Sequence, residues 1–370
     1  MNITKINLFN FRNYSKISIF LEKGMNVFIG DNAQGKTNIL EAITILALTK
    51  SHRVGVSPNI IMFNKKICKI EGSIKKDGII TKLKVHIDDV GKKLIVNNTI
   101  IKKNADYISN LNVIVFTPDD LDIVKGSPSI RRNLLNIQLS QLSGEYLKIY
   151  NEYNKILKTR NEYLKILYNN NIADMNYLDI LTDKLIEKAI FIYQKRKEYL
   201  DLINININKY FKMISNDDDI FVKYINNIGI ENYDSEEIRK KLKHLLKKNL
   251  KKELNYGMTI YGPHRDDFNF EFKNNDLKYF GSQGQQRLAV FSFKLSEIPI
   301  FYDITGNYPV LLLDDIFSEL DIKKRNKLLK IISIDGVQSI ITTTDLRNIN
   351  KKHIENATIF NVKNGSVERK

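Results

Sequence analysis

The chain has 370 residues, 43% hydrophobic and 10% aromatic, which is enough to bury a sizeable core and too apolar for a disordered chain. A single cysteine, Cys68, excludes an intramolecular disulfide framework, and no run approaches the ~20 apolar residues of a bilayer-spanning helix, so a cytoplasmic protein is expected, with Cys68 as a small core residue. The net charge of +16 points to a polyanionic partner, nucleic acid before any other.

Two strands are predicted at the start, Ile3 to Phe9 and Ile17 to Leu21, separated by Asn10-Phe11-Arg12-Asn13-Tyr14. The apolar run Met25-Asn26-Val27-Phe28-Ile29 is a third. It leads into Gly30-Asp31-Asn32-Ala33-Gln34-Gly35-Lys36-Thr37, after which apolar residues recur at helical spacing to Leu48. Strand, glycine loop and helix in this order make a phosphate-binding loop. The glycines let the backbone curl so that N–H groups meet phosphate oxygens, Lys36 adds charge, and Thr37 is a magnesium ligand.

Only 12 of the 58 basic residues are arginine, so an arginine here marks a place that needs its planar fork. Arg53, in the basic tip after the first helix, is one candidate for nucleotide or DNA. From Ile67 to Val96 lysine alternates with apolar residues, which predicts antiparallel strands with one wet, basic face. Val113 to Phe116 is a buried strand. Lys125-Gly126-Ser127-Pro128 then turns the chain into a helix that begins with Arg131 and Arg132, a second pair of candidates for a DNA phosphate.

From Gly144 to Ile214 the pattern is helical, with one stripe through Tyr146, Tyr153, Arg160 and Leu164 and another through Leu178, Leu185, Arg196 and Tyr199. The polar break Asn169 to Asp174 predicts an antiparallel hairpin whose stripes pair. A further basic amphipathic helix is predicted from Ser235 to Leu254.

Near the C-terminus Tyr308 to Leu313 reads as a buried strand that ends in Asp314 and Asp315. Opposite a phosphate loop, this is what Mg2+–ATP requires: Asp314 to hold the magnesium and its water shell, Asp315 to polarise the attacking water. Upstream, Phe280-Gly281-Ser282-Gln283-Gly284-Gln285-Gln286-Arg287 opens another helix; downstream, Ser318-Glu319-Leu320-Asp321 follows the carboxylates.

These last two segments resemble the signature motif and D-loop of the ABC-type ATPases, keeping Ser282, Gly284 and Gln285 and departing at Gly281 and Gln283. Asp315 is a methylene shorter than the usual glutamate, and no switch histidine follows the strand Gln338 to Ile341. Slow turnover is therefore expected, with Thr344 as a candidate γ-phosphate sensor. Across the whole chain the motifs resemble the RecF family, related to SMC and Rad50 heads. Leu8 to Tyr14, Gly30 to Ala42, Phe116 to Leu121, Tyr261-Gly262-Pro263-His264-Arg265-Asp266-Asp267 and Leu313 to Asp315 carry the likeness.

That resemblance implies an α/β fold: an ABC-type P-loop ATPase head of mixed sheet and helices (residues 1–118 and 299–370) plus a largely helical second lobe (119–298) that carries the hairpin and the signature. It implies a homodimer with ATP between subunits, gripped by Lys36 of one chain and by Ser282 and Gly284 of the other, with Asp321 in the catalytic set. It also implies binding to gapped or junction DNA with RecR and RecO, in support of RecA loading. A transport ATPase would need a shorter interval than Thr37 to Ser282, and a nuclease ATPase would need more chain after Asp321.

Overall fold

The computed structural model describes residues 1–51, 58–169, 174–215, 217, 219–344, 346 and 354–370. In chain order, strands β1 (Asn2–Phe11), β2 (Tyr14–Phe20) and β3 (Met25–Ile29) lead to helix α1 (Lys36–Leu48). Strands β4 (Cys68–Lys76), β5 (Ile79–Ile87), β6 (Lys92–Val96) and β7 (Thr99–Ile101), helix α2 (Asn104–Ile108) and strand β8 (Val113–Phe116) follow. The helices α3 (Asp122–Lys125), α4 (Pro128–Leu142), α5 (Gly144–Asn169) and α6 (Met175–Ser215) come next, then β9 (Ile220–Ile225), α7 (Ser235–Lys248) and α8 (Leu250–Tyr256). The chain continues through β10 (Asp267–Phe272), β11 (Asn275–Asp276), α9 (Leu277–Phe280) and α10 (Gln283–Thr305). It ends with β12 (Val310–Asp314), α11 (Ile322–Ile332), β13 (Ser339–Thr343), β14 (Thr358–Lys363) and β15 (Ser366–Arg369).

Two compact units result. The first comprises Met1–Leu121, Ile207–Asp218 and Arg287–Lys370, the second Asp122–Asn206 and Asp219–Gln286. The division falls at Gln286 rather than 298 because α10 packs into the first core from its second turn onward. Phe291 lies 6.0 Å from the Phe116 ring, and the buried ammonium of Lys294 pairs with Asp120 and the Val115 carbonyl.

The first unit sandwiches α1 between two sheets. One is antiparallel, in the order β2-β1-β4-β5-β6-β7; the other runs β15-β14-β3-β13-β12-β8, with all but β15 parallel. Helix α1 meets both, so it is apolar on nearly every side, from Ile39 through Ala47. The predicted lysine–apolar alternation places Cys68, Ile70, Leu83 and Val85 in this core and their neighbours in solvent. Burial pushes the Cys68 thiol up to about 12.

The second unit is largely helical, with the short sheet β11-β10-β9. Helices α5 and α6 form the expected hairpin: Tyr146 meets Phe191, Glu152 meets Lys188, Arg160 meets Thr182 and Tyr163 meets Tyr177, partner numbers falling as the first set rises. The turn itself, 170–173, lies outside the described residues. The single helix expected from Ser235 to Leu254 is two. Asn249 leaves helical geometry (φ −104°, ψ 14°), and its backbone N–H and side-chain Nδ2 both donate to the Leu245 carbonyl, at 3.1 and 3.0 Å, which caps the first helix at the break.

Candidate nucleotide site

Strand β3 delivers the glycine loop to the carboxyl edge of the parallel sheet, where α/β sheets take their ligands. Between it and the carboxylate strand β12 lies β13, with Thr342 opposite Asp314 and Thr343 opposite Ile29. The resulting cleft, about 230 Å³, is lined by Asn32, Ala33, Gly35, Lys36, Thr37, Asn38, Asp314, Asp315 and Thr342.

The loop's shape is enforced by its neighbours. A Cβ on Gly30 would sit 2.3 Å from the Val362 carbonyl oxygen of β14. Gly35, at φ 111°, would press one against Asn13 and the Tyr14 hydroxyl. That hydroxyl donates to the Gly35 carbonyl (3.1 Å), Asn13 Nδ2 donates to the Gln34 carbonyl (3.1 Å), and Gln34 Oε1 accepts from the Asn364 amide (2.6 Å). The loop is thus braced by the β1–β2 turn on one side and the β14–β15 turn on the other. Behind it Arg12 forks onto the fully buried Glu41 carboxylate of α1 at 2.7 and 3.0 Å.

Within the cleft, Lys36 Nζ donates to the Gly30 and Asp31 carbonyls at 2.6 and 2.7 Å. Burial lowers its pKa, against the pull of Asp315, Asp314 and Asp31. Asp314 Oδ1 accepts from Thr37 Oγ1 (2.9 Å) and from Thr342 Oγ1 (2.7 Å). Thr342 also accepts from the Asp315 amide through Oγ1 (3.0 Å), while its carbonyl takes the same N–H at 3.2 Å. Asp315 sits at φ 45°, a left-handed conformation costly for a non-glycine residue, which Thr342 stabilises. Hydroxyl and carboxylate oxygens side by side form a hard donor set that suits Mg2+.

The structure therefore brings Gly30, Asp31, Asn32, Ala33, Gln34, Gly35, Lys36 and Thr37 together with Asp314 and Asp315. It also adds Thr342, which lay unnoticed inside Thr342-Thr343-Thr344. Its signal is positional: it is the strand residue registered against the first carboxylate. Thr344 is exposed past the strand end and does not line the cleft, while Asp345 and His353 lie outside the described residues. Asp321 is also absent from the cleft lining. It caps α11, accepting from the Lys324 amide at 2.9 Å with the Lys324 ammonium at 3.0 Å, and these hold its carboxyl below the usual range.

Ser282 and Gly284 belong to the second unit. Ser282 Oγ accepts from the Gln285 amide (3.3 Å) and Gln285 Oε1 accepts from the Ser282 amide (2.9 Å), a reciprocal capping box at the start of α10. Ser282, Gln283 and Gly284 are exposed, as are Tyr279 and Phe280 just before them.

Of the arginines expected at DNA, Arg131 needs correction. Arg131 is buried: its fork clasps Asp267 at 2.6 and 2.8 Å, and its remaining nitrogen reaches the Ile123, Val124 and Gly126 carbonyls. A guanidinium so committed holds the turn before α4 and is not offered to a phosphate. Arg132 is half-buried and donates to the Asp266 carbonyl at 2.7 Å. Arg53 lies outside the described residues.

Comparison with known proteins agrees with this geometry. The family model for the RecF/RecN/SMC N-terminal domain matches residues 2–368. The DNA replication and repair protein RecF of Listeria monocytogenes serotype 4b is 39% identical over 371 residues, covering all of both chains. RecF of Halalkalibacterium halodurans is 38% identical over 372 residues, again covering all of both. Among solved structures, the recombination mediator protein RecF-ATPrS in the RecFOR pathway superposes with a TM-score of 0.91 at 32% identity, covering 100% of this chain and 98% of that one. An Smc head bound to the C-winged helix domain of ScpA shares the fold at a TM-score of 0.57 and 16% identity. With an ABC-type ATPase head built around a braced phosphate loop, and relatives of this identity along its full length, the chain belongs to the RecF family.

Proposed function

We propose that the chain is an ATP-dependent, DNA-binding recombination mediator whose ATP hydrolysis is slow. The observation that carries this reading is the junction of Thr37 Oγ1 and Asp314 Oδ1 at 2.9 Å, with the Lys36 ammonium lining the same cleft. A triphosphate in the cleft would replace the loop carbonyls as the partner of Lys36, with N–H groups at the α1 N-terminus around it. Thr37 and Asp314 would hold Mg2+, which supplies charge neutralisation at the phosphates when bound. Asp315 would orient the attacking water; its short side chain and strained backbone are reasons to expect slow turnover.

Dimerisation is supported by the exposed signature. Ser282 and Gly284 sit at the uncovered start of a 23-residue helix, flanked by the exposed rings of Tyr279 and Phe280. In the reading proposed here, a second copy presents this helix end to the γ-phosphate, and ATP joins the two chains. The clamp so formed would act in the cytoplasm on gapped or junction DNA with RecR and RecO, helping RecA load on single strands, as the RecFOR context of the relatives suggests.

Sedimentation with and without ATP and gapped DNA tests this. A monomer–dimer shift with ATP, strongest on DNA, is expected. Ser282→Arg should abolish the shift while leaving ATP binding by the monomer intact. An unchanged monomer in every condition, or a Ser282→Arg protein that still dimerises, would overturn the composite site.

A further inference from the structure

The antiparallel sheet of the first unit buries one face and exposes the other, and the exposed face has an unusual composition. Strand register lines up Lys16, Phe9, Lys69, His86 and Lys93 side by side across β2, β1, β4, β5 and β6. At ~4.8 Å per strand the row spans roughly 19 Å, the rise of five or six stacked bases. Two residues along, Lys84 lies opposite Glu71, and beyond them come Phe20, Lys5, Ser73 and Lys82.

Glu71 is the carboxylate of these rows, and it already accepts from His86 Nε2 at 3.2 Å. Over the whole chain basic and acidic residues stand at 58 to 42, so a face with six lysines to one acid is more than a reflection of lysine-rich composition. Among the described residues none of the six makes an ion pair with a carboxylate. The basic helix α7 differs here: Lys243 pairs with Asp183 and Arg239 with Glu236.

Two rings stand among these cations. Phe9 is 41% exposed and Phe20 62%, with the ammonium of Lys69 6.0 Å from the first and that of Lys5 4.7 Å from the second. Cation-flanked aromatic faces on a flat surface suit unpaired bases, which stack on rings while lysines meet the backbone; a duplex hides its base faces.

We propose that the solvent face of this sheet is a track for single-stranded nucleic acid, with Phe9 and Phe20 as stacking platforms and the lysine rows as phosphate contacts. The proposal rests on the DNA-binding reading above and adds to it where a single strand lies.

Fluorescence anisotropy of the full chain with ATP, titrated with labelled oligo-dT and with duplex at several salt concentrations, tests it. The variant Lys16→Gln/Lys69→Gln/Lys84→Gln/Lys93→Gln should bind oligo-dT at least tenfold more weakly, with the salt slope reduced by about 3, four lysines at roughly 0.7 each for single strands. Phe9→Ala/Phe20→Ala should weaken oligo-dT about tenfold and leave duplex binding unchanged. The matched helix variant Lys240→Gln/Lys241→Gln/Lys247→Gln/Lys248→Gln should stay within twofold of the parent protein. Retained ATP binding and melting temperature would show that each variant folds. If the parent protein binds oligo-dT and the sheet variants bind equally well, the track is overturned and the DNA-binding reading stands; if the parent binds no DNA, both fall. If sheet variants lose only binding to phosphatidylserine vesicles, the face is a lipid surface and the proposal fails.

Discussion

The phosphate loop and the Tyr261–Asp267 segment both concentrate glycine, charge and hydrogen-bonding side chains, and they use them in opposite ways. Along the loop, Lys36 spends its ammonium on two carbonyls of its own loop, and Asp314 Oδ1 is shared by two hydroxyls; all of them line a cleft. In the second segment Arg265 is exposed, but His264 and Asp266 turn inward. His264 Nδ1 accepts from the Tyr153 hydroxyl at 2.6 Å and Nε2 donates to the Thr259 carbonyl. Asp266 accepts from Tyr224 and from the Asn227 amide, with the buried Arg196 guanidinium 3.8 Å away. Nearby, Arg160 is 1% exposed and bonds Thr182, Thr259 and the fully buried Glu253. One site holds charge ready for exchange with a ligand. The other consumes its charge in holding helices together, so conspicuous residues alone do not mark a binding site.

Paired substitutions sharpen that contrast most. Arg160→Met leaves the Glu253 carboxylate buried without its cation and should lower the unfolding free energy by about 3–5 kcal/mol in chemical denaturation, with nucleotide affinity of the folded protein unchanged. Lys36→Met should do the reverse, cutting ATP binding by about a hundredfold or more in calorimetry while leaving stability intact. A Lys36→Met protein that binds ATP normally would break the comparison.

Acid titration is the next largest test. Burial, with Arg265, Arg132 and Arg196 around it, lowers His264 from 6.5 to about 4, so stability that it contributes above pH 6.5 is lost as pH falls towards 4. Burial raises Asp266 from 3.8 to about 6, so the fold binds a proton that the unfolded chain releases, and stability is gained as pH falls through the same window. Each slope is worth up to about 3 kcal/mol and they oppose each other. Denaturation at pH 4 to 6.5 should therefore show little net dependence on this pair in the parent protein, a gain on acidification in His264→Gln and a loss in Asp266→Asn. Parallel slopes in both variants would show that the pair does not titrate as described.

The smallest effect is expected at Thr342. Thr342→Val removes one of two hydroxyl donors to Asp314, worth about 1 kcal/mol, and should raise several-fold the Mg2+ concentration needed for half-maximal nucleotide binding. Affinity for ATP without Mg2+ should hold, and Thr342→Ser should restore the parent response. Valine behaving like threonine would remove Thr342 from the site.

What the chain discloses by itself follows from range. The loop, the carboxylate strand and the lysine–apolar alternation are local patterns, and all three appear where expected. The break at Asn249 is marked by one side chain that joins its own backbone N–H on the Leu245 carbonyl, which periodicity does not register. Arg131 and Arg132 suggest phosphate until Asp266 and Asp267, more than a hundred residues later, supply their partners. Thr342 gains its role only when β12 and β13 lie side by side. The residues missed or misread are those whose partners lie far along the chain.

Strand β3 adds a consequence for biosynthesis. Its sheet partners are β13 and β14, and Gly30 packs beneath the Val362 carbonyl. A chain emerging from the ribosome therefore carries its phosphate loop early but lacks the strands that shape it until β13 and β14, roughly three hundred residues further on, have been made. The nucleotide cleft waits on β14, and a nascent fragment that stops before Thr358 would carry the motif without the pocket.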